Sequence, residues 1–115
     1  MPLNHSVNRI HIGSSFYPEH WDESYWANDI RLMKEAGFTV ARMGEFAWST
    51  TEPSAGEFQF DWLEHVIAEM ASAGIASVLG TPTAAPPAWL VQQYPDLMAV
   101  NENGRRIQFG NRCHY

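Results

Sequence analysis

The stretch A-G-F-T-V-A-R-M-G-E-F-A-W-S-T-T-E-P, residues 36–53, decides how the whole chain reads. Gly37 sits where a helix C-cap glycine belongs, and the apolar run at residues 38–43 begins one residue later. Upstream, Asp22 can cap a helix whose apolar stripe is Trp26, Ile30 and Met33. Before it, residues 9–16 alternate weakly around Ile10 and Ile12 as a short strand, and Tyr17-Pro18-Glu19-His20-Trp21 forms a loop.

Downstream of the quoted stretch the pattern repeats. Ser54-Ala55-Gly56 is a turn, and Phe58 and Phe60 are expected to pack the loop back on the body. Asp61 as N-cap and Glu64 three residues later make a capping box, with Leu63, Val66, Ile67 and Met70 as the buried face. Gly74 is a second C-cap glycine, and residues 75–79 form a third strand. Strand, helix, strand, helix, strand is the βαβ rhythm, which implies parallel strands with right-handed crossovers. Beyond Pro82 the rhythm breaks. Residues 88–93 read as a short helix with Pro87 near its first turn, and residues 97–109 read as a hairpin.

The connections are unequal. Each helix returns to the sheet through one glycine, whereas the segments leaving the strands run to about six, about seventeen and more than thirty residues. Long loops at the C-terminal ends of parallel strands are the functional side of α/β folds. Three strands do not close a barrel, since an eight-stranded one needs roughly 250 residues. The expectation is an α/β chain, the first third of something larger.

Composition narrows the function classes. The 115 residues are 45% hydrophobic and 17% charged, a globular composition, with length for one small domain. The net charge of −6 and the lack of a basic block beyond Arg105, Arg106 and Arg112 argue against nucleic acid. A single cysteine, Cys113, excludes an internal disulfide framework. Residues 1–13 lack the apolar segment of a secretion signal, and no run of about eighteen apolar residues suits a membrane span. The expected setting is the cytoplasm.

Familiar motifs are missing. Residues 13–18 read G-S-S-F-Y-P, not the G-x-G-x-x-G of a dinucleotide site, and neither a phosphate loop nor H-E-x-x-H occurs. Cys113-His114 is an adjacent pair without metal-ligand spacing. Among the remaining candidates Arg42 is the sharpest, a charge inside the apolar strand V-A-R-M-G. It suits a structural ion pair with Glu45 or a guanidinium aimed at ligand hydroxyls. Glu19, Glu45 and Glu52 fall in loops on one predicted face. Two carboxylates about 5–5.5 Å apart would suit a retaining glycosidase, a wider gap an inverting one. Trp21 and Trp48 suit stacking on a sugar or packing between loops, and Asn111 and Arg112 suit hydroxyl recognition.

Four motifs in order carry a resemblance. G-S-S-F-Y-P-E-H-W, A-R-M-G-E-F-A-W-S-T-T-E-P, L-G-T-P-T-A-A-P-P-A-W-L and F-G-N-R-C-H-Y together resemble the N-terminal segment of the family 42 glycoside hydrolases, the β-galactosidases. The resemblance covers nearly the whole chain. It implies that residues 1–115 are the N-terminal part of a (β/α)8 TIM barrel, about its first three βα units. It implies retaining hydrolysis of terminal β-D-galactosides by a pair of glutamates, one acid/base and one nucleophile. In this family those glutamates follow barrel strands four and seven, so no catalytic residue is expected here and the chain alone is expected to be inactive. Arg42 and Arg112 match arginines that contact the sugar, with Glu45 and Trp48 as supports. No cofactor is implied. Some members hold a structural zinc, but Cys113 does not match the ligand position, so no metal site is assigned; a zinc would belong to a longer chain. A homotrimer is implied for the full-length protein. Two other readings compete: a non-catalytic carbohydrate-binding module, and a different barrel glycosidase.

Overall fold

The computed structural model describes residues 9–110. Three parallel strands, β1 (Gly13–Ser15), β2 (Val40–Met43) and β3 (Ala76–Leu79), form one sheet in the order β1-β2-β3. Helix α1 (Trp26–Glu35) joins β1 to β2. A short helix α2 (Trp48–Thr51) and the longer α3 (Asp61–Ser72) join β2 to β3. A 3₁₀ turn at Pro82–Ala84 and helix α4 (Ala88–Gln93) follow. No described helix is long and apolar enough to cross a membrane.

The core lies between the helices and one face of the sheet. Trp26 and Ile30 of α1, Val66 and Met70 of α3, and Ala41, Met43 and Ile75 are buried together. Leu63, Ile67 and Met33 flank them, half-buried. Alternation along β2 turns Ala41 and Met43 toward the helices and Val40 and Arg42 to the opposite face. That face is open: Arg42 and Val78 are both exposed there. Gly37 and Gly74 adopt φ of +84° and +75°, the left-handed turn that ends each helix and delivers the chain to the next strand.

Several local expectations need correction. The first strand is Gly13–Ser15, not residues 9–16, because β2 offers partners only from Thr39 onward; Ile10 is 87% exposed. Asp22 caps the 3₁₀ turn Glu23–Tyr25, accepting from Ser24 N at 3.0 Å, and that turn runs straight into α1. The capping box at Asp61 does not form. Phe60 is already near-helical and takes the cap position, which leaves Asp61 inside the first turn, where its charge still favours the positive helix end. Phe58 and Phe60 stack on each other, with centroids 5.7 Å apart, and stay exposed rather than packing on the body. The hairpin reduces to one bridge, Val100 with Arg106, around a turn held by Asn101.

Met70 has no solvent exposure and lies at the centre of this core. Met70→Ala is expected to destabilise the fold by about 2–5 kcal/mol, read as a lowered midpoint in a denaturant melt.

Candidate functional site

Three strand ends converge on one carboxylate. β2 stops at Met43 and the chain turns through Gly44, which carries Glu45 back over the end of the sheet. Glu45 is the buried charged residue among those described, at 6% exposure. A carboxylate withdrawn from water needs partners. Tyr17, just past β1, donates its phenol O–H to Glu45 Oε1 at 3.0 Å. Arg42 places Nε 2.8 Å from Glu45 Oε2, an ion pair not aligned as a hydrogen bond. From β3, Gly80 leaves the room: a Cβ there would lie 2.9 Å from Glu45 Cβ and 3.1 Å from its Oε2.

Of the two roles open to Arg42, the structure shows the ion pair with Glu45. Its Nε pairs with Glu45, while its side chain stays 57% exposed on the open face of the sheet. The outer guanidinium nitrogens have no partner among the described residues, so they can meet a ligand's hydroxyl or carboxylate oxygens. An open groove lies around it, lined by His11, Ser14, Ser15, Val40 and Val78.

Glu52 has a different task. Its Oε2 accepts from Trp48 Nε1 at 2.8 Å, its Oε1 from Gly56 N at 3.0 Å, and its carbonyl from Trp89 Nε1 at 2.8 Å. The hydrogen bond from Gly56, then that from Trp48, holds its carboxyl below the usual glutamate range. Glu52 thus ties the loop after β2 to the loop after β3, and Trp48 serves that tie. Trp21 is exposed and tilted against Tyr25 at 6.3 Å. The third loop glutamate, Glu19, lies on the 3₁₀ turn Pro18–His20 with both carboxylate oxygens shielded from solvent. Burial, the largest influence, raises its pKa.

The structure thus brings Arg42 and Glu45 together and sets Trp48 on the short helix that follows in the same connection. Arg112, Asn111, Cys113 and His114 lie outside the described residues. Tyr17 and Gly80 escaped the reading of single residues. Both stand inside motifs quoted for the resemblance, F-Y-P-E-H-W and L-G-T-P, but nothing local marks a phenol donor or a glycine beneath a carboxylate. Among the described residues no group of three or more His, Cys, Asp or Glu side chains could hold a metal ion.

The family model described as β-galactosidase, glycoside hydrolase family 42, matches residues 15–115. The chain belongs to that family. A β-galactosidase of Thermus thermophilus is 49% identical over 104 residues, covering 90% of this chain. The β-galactosidase BgaA of Clostridium cellulovorans is 49% identical over 105 residues, covering 91%. Among solved structures, the β-galactosidase of the psychrophilic Marinomonas ef1 superposes with a TM-score of 0.86 at 44% identity over 92% of this chain. That of the haloarchaeon Halorubrum lacusprofundi gives 0.87 at 39% identity, also over 92%. The chain spans 16% of the length of each of these relatives.

Two substitutions check this family 42 site. Gly80→Ala is expected to displace Glu45 and destabilise the fold by about 1–3 kcal/mol, and a crystal structure of the variant should show the Tyr17–Glu45 hydrogen bond broken. A depressed carboxyl such as Glu52 stabilises the fold above its ordinary titration range, and that gain disappears as pH falls through the folded value. Glu52→Gln should therefore lower the melting temperature at neutral pH and converge with the unmodified chain in acid, measured by thermal melts across that range.

Proposed function

We propose that residues 1–115 are the first three βα units of a (β/α)8 barrel in a β-galactosidase, and that they form part of its sugar-binding wall. The observation that carries this reading is Arg42. A guanidinium anchored at Nε by a buried carboxylate presents fixed donors on the open face of a parallel sheet, near the ends of its strands. Polyol recognition needs such donors, held in place before the ligand arrives. The open face fits a barrel interior, and the long loops follow the C-terminal strand ends, where barrel enzymes keep their sites. The relatives named above are β-galactosidases.

On this reading the substrate is a β-D-galactoside and the reaction proceeds with retention. One glutamate protonates the glycosidic oxygen while another attacks the anomeric carbon, and water then releases the sugar. Both glutamates belong to later strands of the complete enzyme. Arg42 and Arg112 bind the sugar, Glu45 orients Arg42, and Trp48 supports the loop. The mechanism requires no cofactor, and a structural zinc, where one exists, belongs outside these residues. The complete enzyme is proposed to work in the cytoplasm as a homotrimer.

Arg42→Ala in the complete enzyme is expected to lower kcat/KM for an aryl β-galactoside roughly 10–100-fold, the loss of hydrogen bonds to a charged donor. An unaltered kcat/KM would remove Arg42 from the sugar site.

A further inference from the structure

A second groove, apart from the one around Arg42, holds about 350 Å³ among the segments that follow β2 and β3. Three stretches of chain line it. Phe46 and Ser49 come from the connection after β2, Ser49 from an exposed position on α2. Pro86, Pro87 and Ala88 come from the entry to α4, and Phe109 comes from beyond the Val100–Arg106 bridge.

The lining has a definite chemistry. Ser49 is its one polar side chain, and no charged residue borders it. Pro86 and Pro87 have no backbone N–H to offer. Both are buried, so that wall stands on the body of the fold. Phe109 is 50% exposed. A ligand hydroxyl would give up water there with little in return, whereas an apolar group finds aromatic and pyrrolidine rings.

The groove is also held open in advance. Trp48, beside Ser49, donates to the Glu52 carboxylate, and Trp89, beside Ala88, donates to the Glu52 carbonyl, each at 2.8 Å. The Glu52 tie therefore fixes two of the lining stretches against each other. Arg106 secures the third, donating to the carbonyls of Asp96 and Met98 at 2.7 and 2.5 Å. A preformed site spares its ligand the cost of ordering it.

Position points to the occupant. Phe46 directly follows Glu45, and its ring lies 5.7 Å from that of Tyr17, the donor to Glu45. Phe109 stands three residues before Arg112 in the sequence. The groove thus adjoins, through two of its stretches, the residues assigned above to the sugar.

We propose that this groove is an aglycone site, which takes the apolar leaving group, alkyl or aryl, of a β-D-galactoside, with Phe109 as a specificity-determining contact. The proposal rests on the function proposed above and adds the class of galactoside preferred.

Hexyl and methyl β-D-galactoside test it, because both release simple alcohols and differ in apolar length. In the complete enzyme, kcat/KM for the hexyl compound is expected to exceed that for the methyl compound by about tenfold or more. Phe109→Ala should cut that ratio roughly three- to tenfold. Ala88→Asp should cut it by a similar factor through a charge in the groove. Ala88 is exposed and opens α4, where an acid suits the positive helix end, so this variant decides should Phe109→Ala fail to fold. Equal kcat/KM for the two galactosides, or an unaltered ratio in either folded variant, would overturn the aglycone site alone. Cleavage of neither galactoside by the unmodified enzyme would overturn the function and the aglycone site together.

Discussion

Glu45 is a carboxylate taken out of water at the point where three strands end, and much of the surrounding geometry answers to that one burial. An unpaired anion there would cost several kcal/mol. Tyr17 from the end of β1 and Arg42 from β2 meet it, and Gly80 at the end of β3 gives way beneath it. Each strand thus contributes one element of the solution: a donor, a counter-charge and a space. The strand ends are locked to one another as a by-product, which is what a surface meant to hold donors at fixed positions requires.

The body of the fold makes that lock durable. Single-glycine returns from α1 and α3 leave little slack on the N-terminal side of the sheet, and the core of Trp26, Ile30, Met43, Val66, Met70 and Ile75 presses the helices onto one face. On the other side the chain is long and irregular, and it is held by side chains rather than by ladders. Glu52 does most of this, drawing Trp48, Gly56 and Trp89 to one residue. Its carboxylate is spent on the loop, so its chemistry is structural. Three loop glutamates that look alike in the sequence therefore part company. Glu45 anchors Arg42, Glu52 ties two loops, and both carboxylate oxygens of Glu19 are shielded from solvent.

The order strand, helix, strand, helix, strand was determined by the sequence alone, as were the two glycine turns and the apolar faces of α1 and α3, while the placing of Glu45 three residues after Arg42 made their ion pair one of two open readings. These are local properties. Periodicity, left-handed glycines and near-neighbour charges act within a few residues, so they can be read without knowing what lies across the fold. Family membership was also legible, because four motifs in order carry more information than any one residue. The errors were of a local kind too: the Asp61 cap and the extent of β1 depend on where neighbouring backbone begins to pair or coil. What the tertiary structure decided was the division of labour among the carboxylates. Tyr17 reaches Glu45 across 28 residues of sequence, and Trp89 reaches Glu52 across 37. Such contacts exist only once parallel strands have brought their ends side by side, and the partners found there determine whether a glutamate is an anchor or a tie.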